Sequence, residues 1–139
     1  MEFVINYWAV LVAGISNMVV GILWYGPLFG KSWAVEMGWG NKSKEEMAQI
    51  QKAAQPGYLK SFIGALLMAY VFAHVLIAFE SDSVSLAVQG ALWMWLGFVV
   101  PVMYGKVLWE NKSHKLFAID SFYYLVALAA MSLILTLWK

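Results

Sequence analysis

The chain has 139 residues, of which 63% are hydrophobic and only 12% charged, with a net charge of +1 and no cysteine. A soluble domain carries about 45–50% apolar and about 25% charged residues, so this surface demands lipid rather than water. The near-neutral charge, with all nine basic residues lysine, excludes a nucleic-acid partner and the bidentate arginine grip on phosphate; the missing cysteines exclude disulfides, thiol chemistry and cysteine metal sites.

Four apolar stretches follow in chain order: Phe3–Tyr25, Leu59–Phe79, Val84–Tyr104 and Leu116–Trp138. Each supplies the roughly 20 helical residues that cross a hydrocarbon core about 30 Å thick. The expected fold is an all-α integral membrane protein, an antiparallel four-helix bundle forming one transmembrane domain over residues 1–139. The first stretch lacks a basic leading region and outruns a signal sequence, so it reads as a retained helix.

The first loop is the one long connection. Ser43 with Glu46 forms a capping box, Met47, Ile50 and Ala54 recur at helical spacing, and Pro56-Gly57 ends the run. The spacing predicts a short amphipathic helix over residues 44–55, lying on the membrane surface as a connector or as a docking site.

Lysines set the orientation. Loop one holds Lys31, Lys42, Lys44 and Lys52, loop three holds Lys106, Lys112 and Lys115, and loop two has two acids and no lysine. Lysine-rich loops stay in the cytoplasm, so the expected placement is a multi-pass cell-membrane protein with both termini outside; Lys139 dissents. Asn41-Lys42-Ser43 and Asn111-Lys112-Ser113 match the glycosylation pattern but are assigned no role.

In lipid, small residues mark contact faces. Ala9, Ala13, Asn17 and Gly21 in the first helix, and Ser61, Ala65, Ala69 and Ala73 in the second, recur four apart and predict a tight pair. Gly90 and Gly97 mark the third helix. The fourth offers Ala127 and Ala130, and is expected at the edge of the bundle or against another copy. Trp93 and Trp95, near mid-membrane, read as packing residues or as the lining of a ligand cavity.

Polar groups inside the spans are costly and therefore informative. They sort into an outer layer, Asn6, His74 and Gln89, and an inner layer, Asn17, Tyr104, Asp120, Tyr123 and Tyr124, with the Trp24–Pro27 turn beyond. Asp120 must be paired or hold a proton, with Lys106 and Lys115 within reach of it. It reads either as a polar tie between helices or, with Asn17, Trp24, Tyr25, Tyr104 and Tyr123, as a ligand or proton site. His74 reads as a helix linker, and His114 lies in a loop at the opposite side, so neither a metal site nor a haem is expected; no cofactor is. Pro101 deprives the Gly97 carbonyl of its helical donor and predicts a kink.

The densest motif is Trp24-Tyr25-Gly26-Pro27-Leu28-Phe29-Gly30-Lys31-Ser32-Trp33. Gly26 is expected to cap the first helix, and Pro27 to stop it, with Phe29, Gly30 and Trp33 folding the chain back at headgroup level. This stretch resembles the signature of the domain of unknown function 1761 family, small and mostly bacterial four-helix membrane proteins. The resemblance continues through Asn6–Val10, Trp95–Pro101 and Leu116–Tyr123. It implies the four-helix fold and no particular activity, and it points to the inner cluster around Asp120 as the seat of any common role.

Two functions remain open. One is a non-enzymatic membrane protein acting by association, as a homo-oligomer or beside another membrane protein. The other is a homo-oligomeric transporter or channel using Asp120. Small multidrug transporters carry their essential acid in the first helix, where this chain has none. A membrane enzyme is disfavoured: glutathione-using four-helix enzymes rely on basic clusters with arginine and vitamin K-type reductases on paired cysteines, and this chain has neither residue.

Overall fold

A computed structural model describes residues 2–139, and every regular element among them is helical. Helix α1 (Tyr7–Leu23) runs into a π turn (Trp24–Leu28) and a short α2 (Gly30–Glu36). Helix α3 (Lys44–Ala78) follows, then α4 (Val84–Met94), a second π turn (Trp95–Val99), α5 (Val100–Glu110) and α6 (His114–Leu137). Four stretches are long and apolar enough to cross a membrane: Tyr7–Leu28, Lys44–Ala78, Val84–Glu110 and His114–Leu137.

Short polar side chains start the long helices. The side chains of Asn6, Ser43, Ser83 and Ser113 accept backbone N–H groups of the first turns of α1, α3, α4 and α6. Both Asn-Lys-Ser triplets thus end on a capping serine, which gives them a structural role in helix initiation.

The expected surface helix is not a separate element. Residues 44–55 are continuous with the second span, and Pro56 sits inside a 35-residue helix. Proline costs the Lys52 carbonyl its donor. Residues 51–61 are all exposed, so that carbonyl is free to bond water. At about 1.5 Å per residue α3 is about 50 Å long, well beyond the hydrocarbon thickness.

A second correction concerns the fourth span. Rather than lying at the edge, α6 is the axis of the bundle: half of its apolar window is buried, against 17% for the third span. Ala127 and Met131 are fully enclosed, and Ser121, Ser132 and Thr136 are buried on the same helix. Ala127 and Ala130 are the small residues expected on this helix, but these hydroxyl residues also allow close approach.

The small-residue stripe of α1 divides its work. Ala9 and Ala13 join Ala65, Ala69 and Ala73 of α3 in one core cluster, as the spacing predicts, whereas Ser61, the first residue of that stripe, is exposed. Asn17 and Gly21 instead meet Tyr123 of α6. Gly14 lets α3 approach: a β-carbon there would stand 2.7 Å from Leu66 Cδ2.

One end of the bundle is tied by Asn6 Nδ2 donating to the Trp138 carbonyl, by the Ser81 and Thr136 hydroxyls 2.8 Å apart, and by Lys139 Nζ donating to the Ser81 carbonyl. The other end is tied by Ser113 Oγ donating to Glu36 Oε2 at 2.7 Å.

The first motif bends differently from expectation. Gly26 does not end the helix; the Phe29 N–H reaches back to the Trp24 carbonyl at 2.8 Å, a π-type bond that carries the chain past Pro27. The constrained glycine is Gly30, where a β-carbon would lie 2.6 Å from the Tyr25 carbonyl oxygen, whereas Gly26 faces open space. Gly30→Ala is therefore expected to lower stability by about 1–3 kcal/mol, because backbone must shift, and Gly26→Ala to leave it unchanged or raised. Thermal unfolding in detergent, followed by circular dichroism, checks the pair; equal midpoints for both variants contradict the assignment.

Candidate functional site

Trp24 and Tyr25 open the first π turn on successive positions of a wound-out helix. The turn points both rings at the first two turns of α6. Trp24 Nε1 donates to the Ile119 carbonyl at 2.9 Å, and Tyr25 Oη donates to Asp120 Oδ1 at 2.7 Å. One turn of α6 later, the buried Tyr123 hydroxyl donates to Asn17 of α1, at 3.0 Å to Oδ1 and 3.2 Å to the carbonyl. Five of the six residues expected to form a ligand or proton site are thus brought together: Asn17, Trp24, Tyr25, Asp120 and Tyr123.

Tyr104 does not join them. Its hydroxyl lies 3.2 Å from His114 Nε2 and its ring packs on Phe117. Lys106 and Lys115 do not pair with Asp120 either; among the described residues the one ion pair is Lys42–Glu46, exposed and 3.7 Å apart. Asp120 is half-buried and takes its hydrogen bond from a phenol instead of an ammonium.

Aromatic rings continue the cluster. Tyr25 touches Tyr123 at 5.3 Å between centroids and Trp33 at 5.5 Å, Tyr123 touches Tyr124 at 4.9 Å, and Trp24 lies against Phe29 at 4.5 Å. Gly26 and Pro27 stay exposed beside them. The outer polar layer is no cluster at all: Asn6 caps α1, His74 Nδ1 bonds the Tyr70 carbonyl, and Gln89 bonds Ser85.

The second π turn repeats the first. Trp95 Nε1 donates to the Ser121 carbonyl at 2.6 Å. Two indoles, from Trp24-Tyr25-Gly26 and Trp95-Leu96-Gly97, therefore hold the two backbone carbonyls that flank Asp120. Each turn is followed by an Asn-Lys-Ser cap, at 41–43 and 111–113, and a long helix. This helix, π turn, helix, capped-helix pattern occurs twice, an internal repeat visible in the Trp-x-Gly and Asn-Lys-Ser spacing. Of Trp93 and Trp95, Trp95 packs against Phe122 while Trp93 is 61% exposed.

Chemically, the site offers one carboxylate, three phenols, an amide and two indoles around the first turns of α6. Among the described residues no three His, Cys, Asp or Glu side chains converge to hold a metal. The arrangement can fix helices through hydrogen bonds and can hold a proton or a cation at Asp120.

A family model described as "Protein of unknown function (DUF1761)" matches residues 8–136. The chain belongs to this family. In this DUF1761 member the matched region takes in both π turns and the whole Asp120 cluster. Comparison with curated proteins and with solved structures gave no match.

If the phenol–carboxylate bond ties α1 to α6, Tyr25→Phe is expected to cost about 1.5–3 kcal/mol, the range for a hydrogen bond to a charged group. Asp120→Asn, which keeps an acceptor, is expected to cost less. A double-mutant cycle on unfolding in detergent reads the coupling directly; a coupling indistinguishable from zero contradicts the tie.

Proposed function

We propose that this DUF1761 protein is a non-enzymatic, multi-pass protein of the cell membrane that acts by lateral association, as a homo-oligomer or as an accessory to another membrane protein. The observation that carries this reading is the contrast between its faces. The interior is closed around α6, whereas the third span presents Leu92, Trp93, Leu96, Phe98 and Val102 outward and is the least buried of the four. Lipid tails solvate such a face, but they make no hydrogen bonds and pack less closely than a helix does.

An antiparallel bundle is supported by two contacts. Asn6 before α1 bonds Trp138 after α6, while Trp24 after α1 bonds Ile119 near the start of α6. Both termini then face outward and the lysine-bearing loops face the cytoplasm, by the lysine bias.

A homo-oligomeric transporter or channel is the second reading. It is favoured by Asp120, an acid within the fourth span whose carboxylate is held by a phenol and is not fully buried. On that reading Asp120→Asn abolishes a proton-linked flux in vesicles while the fold survives.

The absence of cysteine makes the primary reading testable with single-cysteine variants. Fluorophores placed at Asp82→Cys are expected to react from outside intact cells and those at Lys112→Cys only after permeabilisation. Energy transfer between two dye populations in lipid vesicles is expected to rise with protein-to-lipid ratio, or with a co-purifying membrane partner. A strictly monomeric particle with no partner at every ratio contradicts association.

A further inference from the structure

The middle of the third span carries a polar defect. The Val100 N–H bonds the Trp95 carbonyl, which is the π-type pattern. The next residue, Pro101, has no N–H. The Leu96 carbonyl is therefore left without either the α-type donor, Val100, or the π-type donor, Pro101. Gly97 stands midway along Val84–Glu110, so this acceptor lies near the centre of the apolar layer. There an unpaired backbone group costs several kcal/mol.

An unused donor lies on the same stretch. Trp93 is 61% exposed, and its indole N–H meets no acceptor among the described residues, unlike those of Trp24 and Trp95. It precedes Leu96 by three residues, about 4.5 Å along the helix axis. Beside both, a β-carbon on Gly97 would meet nothing within 4 Å, so another backbone has room to come close.

Resting on the associative reading, we propose that this face is a two-fold interface between copies of this chain, closed by the Trp93 indole of each protomer donating to the Leu96 carbonyl of the other. Copies inserted in the same direction share depth, and a two-fold axis along the membrane normal sets each third span against its mate. Donor and acceptor sit on one short segment, so the symmetric pairing satisfies both at once, twice. A lipid tail satisfies neither. A different membrane protein would have to bring both a donor and an acceptor at that depth, which a second copy brings without further requirement.

The test uses the full chain in lipid vesicles. Leu96→Cys is expected to form a disulfide-linked dimer under mild oxidation, whereas Ile63→Cys, 58% exposed on α3, is not. Trp93→Phe removes the N–H and keeps a ring. It is expected to weaken self-association by energy transfer roughly five- to tenfold, the effect of two average membrane hydrogen bonds. Its thermal unfolding as a monomer is expected to match that of the unaltered chain, because the indole has no intrachain partner. Unchanged association in Trp93→Phe overturns the proposed bond. Cross-linking at Ile63 and not at Leu96 overturns this interface and leaves association standing. No cross-link at either position with no energy transfer overturns both.

Discussion

Backbone hydrogen bonding in a medium that offers none is the constraint from which this structure follows. Inside lipid a carbonyl or an N–H that its own helix cannot satisfy has to find a partner in the protein. Proline at 27 and at 101 removes two donors from the first and third spans. The chain answers both times with a π turn that begins on tryptophan. The first turn carries the backbone past Pro27, the second ends just before Pro101, and each aims its indole at α6. The carbonyls of Ile119 and Ser121 each receive an indole N–H beyond what the helix itself provides. The central helix is thus gripped from two spans at the point where its single acid lies.

That grip links fold to site. Asp120 is placed by the same turn that places Trp24, because Tyr25 is its chain neighbour. Tyr123, one turn further along α6, closes the seam through Asn17. The carboxylate therefore belongs to the tie between α1 and α6 before it belongs to any chemistry. Exposed apolar side chains lie around this seam on the third span, on α3 and on α1. The proposed associative role rests on this contrast between a closed polar seam and apolar outer faces.

Much of this was legible in the residues. Span length, the Ser43 cap and part of the small-residue stripes are local properties, and the first, third and fourth helices begin and end within six residues of their apolar runs. The surface helix expected over 44–55 does not end at Pro56 but runs into the second span, because a proline in an exposed stretch of helix costs less than one in lipid, and periodicity is blind to that difference. Five of six inner polar residues met because depth in the membrane restricts which side chains can touch. Tyr104 instead meets His114 and Phe117, six and three residues before Asp120, so it sits nearer the start of α6 than the cluster does. The indole bonds to Ile119 and Ser121 escaped notice since a backbone acceptor leaves no mark on residue type. The doubled Trp-x-Gly and Asn-Lys-Ser pattern was the available signal. The centrality of α6 was hidden by serine and threonine, which pack as small residues when their hydroxyls are bonded, as Ser132 is to the Ala87 carbonyl.

The central claim is that two tryptophan indoles hold the backbone of the fourth span on either side of Asp120. Solid-state NMR measures this directly, as the dipolar coupling between indole nitrogen-15 of tryptophan and carbonyl carbon-13 of isoleucine in protein reconstituted into lipid. A nitrogen-to-carbon distance of about 4 Å, set by hydrogen-bond and carbonyl lengths, that vanishes in Trp24→Phe is the predicted result. A spectrum without that short distance, or one that Trp24→Phe leaves unaltered, contradicts the account.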